Sequence, residues 1–223
     1  MKVWKALSMI AIVLSWSATA VAQDPLKVSP ANYKLVVENA SVRILRVDVA
    51  VGAKTATHSH PDAMVIALGP SKIRFTMPDG KTQDSDMANE SAIYTPAGTH
   101  TSANTGTTRA DALVVEFKTP APGKAMLPAS REGMTIKSLA EGPRALAYRS
   151  TAAPTFVEAP GSKHDYDQIV IALGPAQMSL SLDGKPAKTS WVRGDVVFIG
   201  RGTPHEAKNT SGKPMDFLIV AIK

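Results

Sequence analysis

Three histidines carry the chemistry this sequence offers most directly. His58 and His60 stand one residue apart in the stretch GAKTATHSH (Gly52 to His60), and His100 follows YTPAGT further along. Side chains two apart on a strand point to the same face of the sheet, so on extended backbone His58 and His60 share a face. If a returning strand brings His100 to them, three imidazoles can hold one divalent ion and leave positions open for water or substrate. Iron, zinc, manganese, nickel and copper all suit such donors. The competing reading of the three rings is packing inside a barrel. For His164 and His205, the remaining two of the five histidines, the expected role is a hydrogen-bonded structural residue.

The elements that must position these rings are strands. Apolar residues recur with period two over Val42 to Val51, Met64 to Leu68, Ile73 to Met77, Ala92 to Thr95, Val196 to Ile199 and Phe217 to Ile222. Turn signals separate them: PDG at Pro78, LDGK at Leu182, PAG at Pro96 and GRG at Gly200. Many short, evenly spaced strands predict an antiparallel barrel or sandwich. The hexapeptide VIALGP occurs twice, at Val65 to Pro70 and Val170 to Pro175, an offset of 105 residues. The same offset aligns Asp62 with Asp167, His100 with His205, Asn104 with Asn209 and Lys118 with Lys223, so the chain reads as two related units. The proline- and glycine-rich segment Thr119 to Gly133 between them reads as a linker. Residues 1–22 read as a leader, 23–118 and 134–223 as the two units.

On these residues the chain resembles the cupin superfamily. Gly52, His58 and His60 match the first cupin motif, whereas Pro96, Gly98, His100 and Asn104 resemble the second, with Gly98 one residue nearer the histidine than usual. The second unit has Gly194, Gly202, His205 and Asn209 in the second-motif places, with Gly200 where proline is usual. The resemblance covers nearly the whole chain after the leader and implies a bicupin, two tandem antiparallel double-stranded β-helix (jelly-roll) barrels of the all-β class, with the hexapeptide as the strand after the first motif in each. It also implies a metal site at His58, His60 and His100, and metal-dependent oxygenase chemistry as one outcome among several cupin functions. Two departures stand out. The family sets three or four residues between its second histidine and its glutamate; at three the glutamate falls on Met64, a poor ligand for such ions, so the first barrel lacks that carboxylate unless Asp62 bends inward to replace it. In the second unit Lys163 and Asp165 replace His58 and His60 and Ile169 takes the glutamate place. A one-residue slip of register would instead turn His164 inward near Asp167 and Gln168.

Composition narrows the rest. Met1 to Lys5 holds two lysines, Ala6 to Trp16 is apolar, and Ala18, Ala20 and Ala22 suit cleavage: a secretory signal peptide, too short in its apolar run for a stable membrane anchor. A secreted or periplasmic protein follows. Cleavage after Ala22 leaves 23 basic against 19 acidic residues, a scattered excess that argues against a nucleic-acid partner. The chain has no cysteine, which excludes disulfide and thiolate chemistry. Three neutral imidazoles leave the charge of a divalent ion uncompensated, so the expected ligand is a small anion. Whether the protein is an enzyme stays open, the alternative being a non-catalytic ligand-binding or structural module; self-association into a homo-oligomer is likewise open. Asp62 reads as a fourth ligand, as a support for a ligand imidazole or as a turn residue, with Asp167 favouring the last. Trp191 and Tyr94 read as packing.

Overall fold

Period-two patterning broken by turn residues produces a succession of antiparallel strands. The computed structural model describes residues 23–118 and 123–223; the expected leader and residues 119–122 of the expected linker lie outside them. The first half contributes β1 (Tyr33–Glu38), β2 (Val42–Val49), β3 (His58–His60), β4 (Ala63–Ala67), β5 (Ser71–Thr76), β6 (Thr82–Met87), β7 (Ala92–Thr95), β8 (Gly98–Asn104) and β9 (Ala110–Phe117). The second contributes β10 (Met134–Glu141), β11 (Ala145–Ala152), β12 (Gln168–Ala172), β13 (Met178–Leu182), β14 (Lys185–Lys188), β15 (Val196–Ile199), β16 (His205–Asn209) and β17 (Met215–Ile222). A helical turn, α1 (Pro25–Val28), precedes β1 with the Asp24 side chain capping its start. Among the described residues no helix is long and apolar enough to cross a membrane.

Each half is a jelly-roll barrel of two antiparallel sheets. Strand order is β1-β2-β9-β4-β7 and β3-β8-β5-β6 in the first, β10-β11-β17-β12-β15 and β14-β13-β16 in the second. The turn residues act as their chemistry requires: Asp183 and Gly184 both take positive φ, 49° and 70°, as the two-residue hairpin between β13 and β14 demands. Asn104 and Asn209 hold matching loops. The Asn104 amide donates to the carbonyls of Val49 (2.9 Å) and Thr108 (2.8 Å), and that of Asn209 to Ala153 (2.9 Å) and Lys213 (2.7 Å).

The repeated hexapeptide has a packing reason. It begins on β4 and β12, which hold the same place in the two barrels, each beside the long strand β9 or β17 with Ala63 opposite Glu116 and Gln168 opposite Ala221. Ile66 and Leu68 from one copy, Ile171 and Leu173 from the other, enter a single buried cluster with Val115, Phe117, Val220 and Ile222. The two five-stranded sheets therefore share one core, each Val, Leu, Ile, Met or Phe side chain in it stabilising the fold by roughly 1.5–3 kcal/mol. Polar ties cross the same junction: Arg193 and Arg149 both pair with Glu90, and Ser41 donates to Asp167 (2.8 Å).

One expectation changes here. Met64 does not occupy a ligand position, because strand alternation turns it into this shared core, fully buried, and leaves Ala63 and Val65 on the barrel's inner face. In the described part of the expected linker, Ala125 is buried in the second barrel's core and Gly123 lies against Asp165 and Tyr166 so closely that an added Cβ would meet them at 2.9 Å, whereas Met126 and Leu127 are exposed.

Candidate functional site

In the first barrel β3 runs antiparallel to β8 with His58 opposite His100 and His60 opposite Gly98. That ladder brings the three expected rings together. The His58 and His100 centroids lie 4.9 Å apart, nearly perpendicular, and those of His60 and His100 lie 5.0 Å apart. Phe75 packs on His100 from β5 (4.7 Å), and Tyr33 approaches His58 from β1 (5.1 Å).

Backbone carbonyls decide which nitrogens are available. Nδ1 of His58 donates to the Ala56 carbonyl (2.9 Å) and Nδ1 of His60 to that of Pro61 (2.7 Å). A carbonyl can only accept, so in the neutral rings the lone pair sits on Nε2, the arrangement by which metal-ligating histidines are usually oriented. Burial first, then the two neighbouring imidazoles, pushes His100 down to about 3, and burial also lowers His58. Both are neutral near pH 7, as ligands must be.

In kind the donors fit a divalent ion; as arranged they do not yet close around one. Tyr33 donates its hydroxyl to Nε2 of His58 (3.0 Å), with its own pKa raised by burial to about 12. The rings meet in pairs around His100, and among the described residues no set of three or more histidine, aspartate or glutamate side chains is placed to hold a metal ion. Asp62 is committed elsewhere: its oxygens accept from the Tyr94 hydroxyl (2.8 Å) and the Ala97 amide (2.7 Å), and the latter bond does most to hold its carboxyl below the usual range. It clamps the turn between β7 and β8, as a turn residue would.

Sequence reasoning missed Tyr33, Phe75 and a buried ion pair. Glu116, 1 % exposed, is opposite Arg43 on the β2–β9 ladder and accepts from its Nε at 2.6 Å; Arg43 also reaches Asp24 at 2.9 Å. Leu113, Val115 and Phe117 turn to the shared core, so Glu116 between them turns into the first barrel. A glutamate inside the apolar run LVVEF was the available signal. Tyr33 and Phe75 had none, since their places depend on how β1 and β5 fold over the motif.

The second barrel takes the slipped register. Ser162, not Lys163, lies opposite His205, so Lys163 and Asp165 are exposed and do not stand in ligand positions as the ungapped alignment places them. The shift of one residue turns His164 and Tyr166 inward: their rings stack at 4.9 Å, and His164 lies 5.0 Å from His205. Nδ1 of His205 donates to the Thr203 carbonyl (3.0 Å), its Nε2 facing Glu158. Asp167 accepts from Ser41 and the Arg201 amide, away from both histidines. Trp191 is buried packing, donating to the Met178 carbonyl (2.8 Å).

Comparison with known proteins places this geometry in the cupin fold. No family model matches the chain, and no curated protein matches its sequence. Solved structures do match. A cupin 2 conserved barrel domain protein from Leptotrichia buccalis superimposes with a TM-score of 0.57 over 86% of this chain and 88% of its own, at 15% identity. Oxalate decarboxylase from Bacillus subtilis gives 0.60 over 86% and 75%, at 13% identity, and is described with Mn(II) centres. Salicylate 1,2-dioxygenase from Pseudoaminobacter salicylatoxidans gives 0.61 over 82% and 71%, at 11% identity. At such identities the likeness is one of fold.

Proposed function

We propose that the protein is an exported bicupin that binds one divalent metal ion, from among iron, zinc, manganese, nickel and copper, in its first barrel through His58, His60 and His100. The observation that carries the reading is the pair of backbone carbonyls fixing Nδ1–H of His58 and His60, which directs both Nε2 lone pairs away from the backbone. Fold relatives that include a decarboxylase with Mn(II) centres and a dioxygenase support it. Bound there, the ion would supply Lewis-acid or oxygen-activating chemistry to a small anionic substrate drawn by its uncompensated charge. The chain's own groups shape the surroundings. Tyr33 keeps its proton at neutral pH and must release Nε2 of His58 before that nitrogen can ligate; freed, its hydroxyl is a donor for an anion. Phe75 excludes water from one side of His100. Residues 1–22 support export.

A second reading, a non-catalytic ligand-binding or structural module, is favoured by the Tyr33–His58 bond, which satisfies that ring without metal. Metal analysis of untagged protein separates them. Near-stoichiometric metal in the parent, lost in the His58→Ala/His60→Ala variant, supports the site; equal trace metal in both rejects it. Oxygen uptake with diketones, phenolic acids and thiols, on iron-loaded protein, then tests oxygenase chemistry.

A further inference from the structure

We infer that the second barrel is a metal-free binding site for a neutral, single-ring aromatic molecule bearing a hydroxyl group, a phenol in chemical class. The site is separate from the metal reading of the first barrel and does not rest on it.

The second barrel holds a cavity of about 100 Å³ that is open to solvent on one side. That is smaller than the roughly 150 Å³ apolar cavity that takes up benzene, so one ring is the most it admits, part of the guest standing in the open mouth. Its walls suit an aromatic guest: Phe156, Met178, Leu180, Trp191 and Phe217 line it, with Trp191 and Phe217 edge to face at 5.2 Å. The one polar atom of Trp191 is spent on the Met178 carbonyl, so the indole offers the cavity only apolar surface.

The polar groups lining the cavity set the ligand's charge. Burial pushes the Glu158 carboxyl up, and Arg131 stands 3.4 Å from it, so the cavity offers no unpaired charge to attract an ion. His164 is neutral as well, burial holding it down to about 4. Because Nδ1 of His205 is a donor to Thr203, its Nε2 in the neutral ring is an acceptor, and it faces Oε2 of Glu158 across 3.8 Å. Two acceptors at that distance make no hydrogen bond with each other. A hydroxyl entering beside them donates to the Glu158 carboxylate while its ring occupies the apolar space. A carboxylate in its place would lose its hydration against apolar walls, with Arg131 already paired to Glu158.

Calorimetric titration of the full chain with phenol, toluene and benzoate tests this. Saturable one-to-one phenol binding is expected, with toluene roughly tenfold weaker for lack of the hydrogen bond and benzoate weaker than both. Glu158→Leu should bring phenol down to the affinity of toluene and leave toluene unchanged, which also shows that the barrel still folds. Val170→Phe, filling the cavity, should abolish both. Absent saturable phenol binding to the parent, benzoate binding as tight as phenol, or unchanged phenol affinity in Glu158→Leu would overturn the inference. His58→Ala/His60→Ala should bind phenol like the parent, so a failed metal site and a failed phenol site give different results.

Discussion

Removing the guanidinium of Arg43 should expose how the first barrel tolerates a charge in its interior. Glu116 has a side chain 2% exposed and Arg43 one 17% exposed, with Nε to Oε2 at 2.6 Å. Breaking a buried pair from one side typically costs about 3–5 kcal/mol, because the surviving charge is left unsolvated. Arg43 retains some water contact, so Arg43→Met belongs near the lower end, about 3 kcal/mol. For a chain of this size that lowers the melting midpoint by roughly 6–12 °C. Glu116→Leu should cost less, about 1–2 kcal/mol, since the stranded Arg43 still has Asp24 at 2.9 Å and partial solvent. Replacing both, Arg43→Met with Glu116→Leu, converts the pair to apolar packing and should return to within about 1 kcal/mol of the parent. Urea denaturation followed by circular dichroism, read as a double-mutant cycle, measures all three. A loss below about 1 kcal/mol in Arg43→Met, or a double variant as unstable as that single one, would refute the reasoning.

In metal-free protein, stability should fall as pH drops from about 6.5 toward 3. The unfolded chain protonates His100 near 6.5, whereas the folded chain resists until about 3, so protons favour the unfolded state throughout that window at up to about 1.4 kcal/mol per unit. His58, lowered by burial, adds in the same direction; urea midpoints at pH 7, 5 and 4 should show a shallower decline in His100→Gln. Ile169→Ala opens a hole in the core the barrels share and should cost about 2–5 kcal/mol. Because that core joins both halves, thermal unfolding of the variant should destabilise the first barrel too, and a first barrel that melts unchanged would contradict a common core.

Composition, period and spacing determined a good deal of this protein. The all-β class, the relation between the halves, and the common face of His58 and His60 follow from local rules: alternation places every second side chain on one face, and Gly, Pro and Asn-rich turns mark where strands reverse. That His100 joins them was implied by the resemblance to cupins, and the pairing of β3 with β8 brings it about. What spacing could not decide was register and facing. The ungapped alignment set Lys163 and Asp165 in the second barrel's interior, but a one-residue slip against β16 admitted His164 and Tyr166 instead, since a shift of one inverts every side chain on a strand. Met64 sat at the right count for a ligand yet faces away from the rings, because which side of β4 is inner depends on the other barrel's sheet packing against it. Tyr33 on Nε2 of His58, Glu116 beside Arg43, and the cavity bounded by Arg131, Glu158 and His205 join groups far apart in the chain. Contacts of that kind have no local signature, and only the closed barrels bring them about.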